Sequence, residues 1–259
     1  MTPPRFDHSL FAESHHARRG VLMLDYDGTL APFQLDRMSA RPYPNVTAAL
    51  EELARATQTH VAIVTGRPLT ELRELLDPPG GLDLWGAHGW ERINPQGVHT
   101  VWPQPEYCTV ALGQARSRIG PFVPAGALET KQGAIVVHTR ALGNDEHDRI
   151  HAAVREHWTP IAGIGDGLEW REFNRGFEFR VTLRTKGTVV RTLREESAEK
   201  SHLAYLGDDI TDEDAFAQLP PPDWSILVAP EPRETRARWW MTTPGELLLF
   251  LQNWTSRFT

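Results

Sequence analysis

Short apolar runs bounded by turn residues alternate along this chain with stretches whose apolar positions recur three and four residues apart, the pattern of strands and amphipathic helices. Val21 to Asp25 reads as the first strand. Pro44 suits a first helical turn, and Val46, Leu50, Leu53 and Ala54 supply the buried stripe of that helix. His60 to Thr65 follows as a strand, Leu69 to Leu76 as a helix and Leu82 to Ala87 as a third strand. The order β, α, β, α, β predicts a parallel sheet with crossover helices.

Between about Asn94 and Lys186 the texture changes. A helix is expected over Glu106 to Ile119, strands at Ala134 to Thr139 and Gly176 to Leu183, and a helix from Asp145 to Trp158. The parallel pattern then resumes with a helix after Gly187, a strand at Leu203 to Gly207, a helix at Asp212 to Leu219, a strand at Ser225 to Ala229 and a last helix near Glu246 to Trp254. The expected fold class is α/β: a Rossmann-like core with a parallel sheet, residues 1–95 and 186–259, interrupted by a smaller α+β insert, residues 96–185. Pro220-Pro221-Pro222 reads as a stiff loop.

Composition narrows the setting. With 259 residues the chain buries a substantial core without staples, and its single cysteine, Cys108, forms no internal disulfide and fits a reducing, cytoplasmic compartment with an ordinary packing role. The first twenty residues contain no apolar run of signal-peptide type, and no stretch reaches membrane-spanning length. A net charge of −7 and the lack of any Lys/Arg-rich run argue against nucleic acid or an anionic membrane as partner. Of 27 basic residues only Lys131, Lys186 and Lys200 are lysine, so lysine stands where a compact point charge is useful.

Candidate chemistry gathers at predicted strand ends. In Leu22-Met23-Leu24-Asp25-Tyr26-Asp27-Gly28-Thr29 two carboxylates stand two apart after an apolar strand, a spacing that aims both to one side. One can attack phosphorus while the other handles the leaving-group proton, and a hard cation such as Mg²⁺ must offset their repulsion of a phosphate dianion. Val64-Thr65-Gly66-Arg67 places a hydroxyl and backbone N–H groups where a helix opens, suited to phosphate, although Thr65 would also serve as a plain helix cap. Lys186, in Thr185-Lys186-Gly187, stands at a strand-to-helix junction where it can offset charge in a transition state or remain solvated. From Asp208 to Asp214 the chain carries five acidic residues in seven positions, readable as an acidic helix start or as metal ligands at a strand's carboxyl end.

Other features invite ordinary readings. His147 and His151, four apart on a predicted helix, read as a solvated face rather than a metal pair, and His88 as a residue that orders a loop. Trp102, Trp158 and Trp170, placed in the insert, stack on a sugar ring or fill core, and Trp239 and Trp240 pack.

The four strand-end segments in this order resemble the haloacid dehalogenase superfamily of aspartate-nucleophile phosphatases. The finer wording resembles the trehalose-6-phosphate phosphatases: Asp25-Tyr26-Asp27-Gly28-Thr29-Leu30, Gly86-Ala87-His88-Gly89, Leu206-Gly207-Asp208-Asp209 with Thr211-Asp212-Glu213, and Leu128-Glu129-Thr130-Lys131 with His138-Thr139-Arg140. The resemblance implies a C2-type cap that recognises sugar through Glu129, Lys131, Arg140 and Glu178, with Arg180 in the same Glu-x-Arg element. It departs from the family at Thr139, commonly tyrosine, and at Val181, often proline. The expected site has Asp25 as nucleophile, Asp27 as acid and base, and Thr65, Gly66 and Lys186 on the transferring oxygens. Mg²⁺ is expected on the Asp25 carboxylate, the Asp27 carbonyl and Asp208, with Asp209 or Asp212 behind them. The partner implied is a small-molecule sugar phosphate, with no nucleic acid and no membrane, for a monomer that works with a trehalose-phosphate synthase. Alternatives are another glycosyl phosphate, such as glucosylglycerol, mannosylglycerate or sucrose phosphate, or a catalytically idle sugar-phosphate sensor.

Overall fold

The computed structural model describes residues 2–13, 17–34, 36–131, 133–173, 176–198 and 200–259. It divides into two compact units, Met1–Trp102 with Arg184–Thr259, and Pro103–Leu183. Among the described residues no helix is long and apolar enough to cross a membrane.

The first unit opens with a short helix, α1 (Leu10–Glu13), and then β1 (Gly20–Leu24), α2 (Val46–Arg55), β2 (Thr59–Val64), α3 (Leu69–Leu76) and β3 (Asp83–Gly86). Two short strands follow, β4 (Glu91–Ile93) and β5 (His99–Val101). The second unit holds α4 (Glu106–Ile119), β6 (Leu128–Lys131), β7 (Ala134–His138), α5 (Asn144–Ala162), β8 (Leu168–Phe173) and β9 (Gly176–Val181). The chain re-enters the first unit through α6 (Lys186–Glu196), β10 (His202–Gly207), α7 (Glu213–Phe216), β11 (Trp224–Val228), β12 (Trp239–Met241) and α8 (Gly245–Arg257).

The main sheet runs β12-β11-β10-β1-β2-β3-β4-β5, its first six strands parallel and its last two an antiparallel addition. β1 lies at its centre, buried at every residue, as a strand covered on both faces must be. Leu22 and Leu24 point into a core built with α2, α3 and α8, whereas Val21 and Met23 point into a second core with α6 and α7. This three-layer arrangement is the Rossmann-like core expected from the alternating pattern.

Several elements differ from the sequence reading. Residues 96–102 belong to the first unit and not to the insert, because β4 and β5 form a hairpin bonded to β3, and Trp102 stacks on Trp85 with ring centroids 5.7 Å apart. Thr185, expected in the insert, caps α6 in the first unit. Pro44 precedes α2, whose cap is Asn45 in the left-handed region. α5 runs on through Pro160 to Ala162, while the helix expected over Asp212–Leu219 shortens to a 3₁₀ turn and the four residues of α7. Strands β6 and β8 carry charged residues among their apolar ones and β12 is only three residues long, so none shows the apolar run by which a strand is read.

The amino-terminal segment is held to α8 by Arg5, whose Nε donates to Glu246 Oε1 at 2.7 Å. Glu246 also accepts from the Thr242 N–H and hydroxyl, each at 2.7 Å. The Arg5 bond first, and Thr242 after it, outweigh partial burial and lower the Glu246 pKa from 4.5 to about 2. A depressed carboxylate pKa stabilises the fold above the unfolded value and loses that contribution as pH falls towards the folded one. Glu246→Gln should therefore cost about 1 kcal/mol at pH 6, an exposed pair being largely screened. In paired urea titrations the difference should shrink as pH falls from about 4.5 towards about 2; a difference that persists unchanged at pH 3 would contradict this.

Candidate active site

The carboxyl ends of the two central strands carry opposed charge in a small buried space. Asp25 follows β1 directly and is 3% exposed, and Asp208 follows β10. Lys186, the first residue of α6 and itself 3% exposed, donates Nζ to Asp25 Oδ1 at 2.6 Å and to Asp212 Oδ1 at 2.7 Å. Tyr205, on β10, donates its hydroxyl to the same Asp212 oxygen at 2.6 Å, and the Asp209 N–H donates to Asp212 Oδ2 at 2.9 Å. One ligand atom from each of Asp25, Asp208 and Asp212 falls within 4.8 Å of the others.

One lysine faces three carboxylates here. Burial pushes the Asp25 carboxyl up to about 7, Lys186 opposing and Asp212 reinforcing the shift. Burial pushes Asp208 further, to about 10, with Asp25 and Asp212 adding to it. For Lys186 burial alone would lower the pKa, but the two carboxylates reverse the sign and keep it a cation. A nucleophilic carboxylate must be ionised, so this cluster lacks positive charge. Asp208 Oδ1 is shielded from solvent and has no hydrogen-bond partner among the described residues, as befits an oxygen set to meet a cation. Oxygen donors of this kind fit Mg²⁺. Gly28, in the left-handed region at φ 80°, makes room for the group: a Cβ there would sit 2.0 Å from Asp208 Oδ2.

The expected arrangement is altered in two respects. Asp212, taken as a supporting residue, stands in the cluster itself, while the Asp209 carboxylate turns to the Ile210 N–H at 2.7 Å and only its backbone reaches Asp212. The Asp27 carboxylate does not join Asp25 in the cluster, because both residues lie beyond the strand and the two-residue alternation no longer applies. Instead Asp27 is gripped by Arg67, Nε to Oδ2 and Nη2 to Oδ1, both at 2.6 Å. Sequence reasoning assigned Arg67 no role; its place three residues after the β2 end was the available signal.

Thr65 and Gly66 lie in a bend and not on the first helical turn, since α3 begins at Leu69 after Pro68. Thr65 Oγ1 accepts from the Arg67 N–H at 3.1 Å, so it closes this bend and does not cap the helix. The loop after β3 clamps the bend from the other side: His88 N–H donates to the Thr65 carbonyl at 3.0 Å and Ala87 N–H to the Arg67 carbonyl at 2.8 Å. The His88 ring covers Gly66 so closely that a Cβ there would lie 2.6 Å from Nε2. His88 thus orders the loop as expected.

The insert is a separate antiparallel sheet, β6-β7-β9-β8, with α4 and α5. Residues directly opposite share a face. Glu129, Val136, Glu178 and Arg171 form one row, and Lys131, Ala134, Arg180 and Glu169 the next row on the same face. The register therefore brings Glu129, Lys131, Glu178 and Arg180 to one polar face. Arg140 lies just past the end of β7. On that face Arg171 Nε donates to Glu178 Oε2 and Arg180 Nε to Glu169 Oε1, each at 2.7 Å, and Glu129 Oε2 pairs with His138 Nε2 at 2.9 Å. Arg171 and Glu169 were not singled out from sequence, because strand β8 was not recognised; His138 stood in the segment His138-Thr139-Arg140 with no role assigned.

The other face carries Ile135, Val137, Phe177, Phe179 and Trp170. Trp158 is fully buried in α5 with Nε1 donating to the Ala115 carbonyl at 2.9 Å, and Trp170 Nε1 donates to Thr159 Oγ1 at 3.1 Å. Both tryptophans belong to the helix side and not to the polar face. His147 and His151 are not a solvated pair either: both stack on Phe177 at 5.3 Å, and His147 Nδ1 meets the buried Thr139 hydroxyl at 2.8 Å. Val181, where proline is common, uses its N–H to reach the Gly133 carbonyl at 2.8 Å, a bond that proline lacks.

With this geometry in place, comparison with known proteins is decisive at the level of family: residues 23–237 match the trehalose-phosphatase family model. The chain belongs to the trehalose-phosphatase family. It is 33% identical over 215 residues to a trehalose-phosphate phosphatase of Mycobacterium avium, a match covering 79% of this chain and 52% of that protein. A Mycobacterium marinum relative of the same description is 33% identical over 224 residues, 81% of this chain and 54% of that one. The chain thus spans about half the length of the curated relatives it matches. The fold is shared with the Aspergillus fumigatus trehalose-6-phosphate phosphatase, at a TM-score of 0.74, 23% identity and coverage of 98% of this chain and 99% of that one. It is shared also with the C-terminal domain of a Candida albicans trehalose-6-phosphate phosphatase, at a TM-score of 0.78 and 20% identity, covering 98% of each chain. These two likenesses speak to the fold alone, a Rossmann-like core with a smaller α+β unit.

Removing the ammonium from the carboxylate cluster should expose its charge imbalance. Lys186→Met is expected to destabilise the protein by about 3 kcal/mol in urea with EDTA present, because a buried pair broken on one side leaves uncompensated charge. Asp208→Asn, which removes one competing negative charge, should cost less than about 1 kcal/mol under the same conditions. Equal midpoints for Lys186→Met and the unaltered protein would refute the charge balance described.

Proposed function

We propose that this chain is a Mg²⁺-dependent phosphatase that hydrolyses trehalose 6-phosphate to trehalose and phosphate through an aspartyl-phosphate intermediate, in the cytosol. The observation that supports it most is the buried Asp25–Lys186–Asp212 arrangement at the carboxyl edge of a parallel sheet, in a chain of the trehalose-phosphatase family. A single, buried cysteine, Cys108, fits a reducing compartment.

In this reading an Asp25 carboxylate oxygen attacks phosphorus, forming one P–O bond as the bond to the sugar oxygen breaks. Asp27 gives its proton to that departing oxygen. Water then attacks the phosphorus, Asp27 takes its proton, and phosphate leaves with Asp25 restored. Lys186, the Thr65 hydroxyl and the Gly66 N–H hold the peripheral phosphoryl oxygens. Asp25, Asp208 and the Asp27 carbonyl would hold Mg²⁺, which supplies charge that neutralises the phosphate and the carboxylate cluster. Asp212, braced by Lys186, Tyr205 and the Asp209 N–H, keeps the lysine in place. Glu129, Lys131, Arg140, Glu178 and Arg180 confer sugar selectivity from the insert, Glu178 and Arg180 being fixed by their partners Arg171 and Glu169. The partner is thus a small sugar phosphate for a chain acting as a monomer alongside a trehalose-phosphate synthase.

Phosphate release from a panel of sugar phosphates, with Mg²⁺ and with EDTA, tests the reading. Trehalose 6-phosphate should be preferred and EDTA should abolish turnover. Asp25→Asn should lower kcat at least ~10⁴-fold with the fold intact by circular dichroism, as loss of a covalent nucleophile does. Lys131→Ala should raise KM roughly tenfold, the worth of one charge-assisted hydrogen bond, with kcat within about twofold. Metal-dependent release from another sugar phosphate would overturn the substrate, and no release from any would favour an idle sensor.

A further inference from the structure

Arg67 belongs to no part of the phosphoryl machinery set out above, yet it makes the most complete ion pair near it. Its side chain is 5% exposed, and its two bonds to Asp27 occupy one lone pair on each carboxylate oxygen. The guanidinium is itself tightly placed. Its N–H donates to Thr65 Oγ1 and its carbonyl accepts from Ala87, so the backbone on either side of the side chain is pinned to the same bend. Its Nη1 lies 3.5 Å from Glu71 Oε2, an oxygen also bonded by Arg37 at 2.7 Å, and its Cζ lies 5.8 Å from the Tyr26 ring centre. The Tyr26 hydroxyl in turn donates to the Ala40 carbonyl at 2.7 Å, fixing the residue between Asp25 and Asp27.

The grip does not bury its target. The Asp27 side chain remains 31% exposed, and with Arg67 its one hydrogen-bond partner among the described residues, each carboxylate oxygen keeps a second lone pair for a further bond. A group that must deliver a proton to one oxygen and collect it from another gains from a fixed direction more than from freedom, since misplacement of about 1 Å costs around two orders of magnitude. A planar fork constrains both the position and the plane of a carboxylate, which a lysine cannot do.

We infer that Arg67 is the positioning residue for Asp27: it fixes the orientation from which the Asp27 carboxylate exchanges protons with the leaving oxygen and with water. This rests on the acid–base role proposed for Asp27 and deepens it by naming what aims the group.

The test is a double-mutant cycle in the full chain, with Mg²⁺ and the sugar phosphate that the unaltered protein turns over fastest. Arg67→Lys keeps the charge but not the fork, and should lower kcat roughly tenfold with KM within about twofold; Arg67→Met should lower kcat roughly 10- to 100-fold. Introduced into Asp27→Asn, either change should alter kcat by less than about twofold, because nothing remains to be aimed. Circular dichroism and urea midpoints identify any variant that fails to fold, and the lysine variant then carries the test. Full kcat in Arg67→Lys, a rise in KM in place of the fall in kcat, or an undiminished loss in the Asp27→Asn background would overturn the inference while leaving the Asp27 assignment standing. Turnover by Asp27→Asn alone equal to that of the unaltered protein would overturn both.

Discussion

Everything at the candidate site turns on one electrostatic constraint: three carboxylates share a buried space with a single ammonium. Lys186 satisfies Asp25 and Asp212 together, at 2.6 and 2.7 Å, but nothing among the described residues satisfies Asp208 Oδ1. Burial raises the pKa of a lone carboxyl and adjacent negative charge raises it further, so the cluster is not at rest with protein groups alone. An anionic ligand would worsen the imbalance, and a divalent cation would relieve it. The same constraint accounts for the number of donors lent to Asp212, which takes Lys186, the Tyr205 hydroxyl and the Asp209 N–H at once.

The scaffold brings this charge together by topology. β1 is the central strand, with β10 on one side and β2 on the other, so Asp25, Asp208 and the Thr65 bend emerge from adjacent strand ends on one edge. Parallel strands buried on both faces are rigid carriers, and the loops at their carboxyl ends inherit that rigidity. The left-handed backbone at Ala87 and His88, at φ 49° and 55°, belongs to the clamp that presses on the Thr65–Arg67 bend. Strain at two successive non-glycine residues persists where surrounding bonds hold it, and here they hold the bend from which Arg67 reaches Asp27.

The insert solves a different problem. Its antiparallel sheet buries one face against helices and leaves charged residues on the other, where cross-strand pairs replace hydrophobic contact. Glu178 is 8% exposed and would be costly there without Arg171; Arg180 has Glu169. The polar face is therefore pre-organised, Glu129, Lys131, Glu178 and Arg180 each being paired within the sheet. The two departures from the family are also absorbed locally, Thr139 by His147 and Val181 by the Gly133 carbonyl.

By its own pattern the sequence determined the alternation of strands and helices, the presence of an insert though not its first boundary, and the residues whose chemistry marks a phosphatase: Asp25, Lys186 and Asp208 emerge where periodicity ends in charge. Those features are local, set by strand period, helix period and the residues that stop each. Tertiary structure decided what depends on pairing between distant segments. β4 and β5 join the main sheet through β3, and β8 is a strand because it pairs with β9, although neither reads as an apolar run. The partner of Asp27 lies forty residues away, and the Asp25–Lys186 contact joins residues separated by 161 positions. Which way a carboxylate turns once it has left its strand is settled by the cation it meets, and that meeting exists only when the sheet has formed.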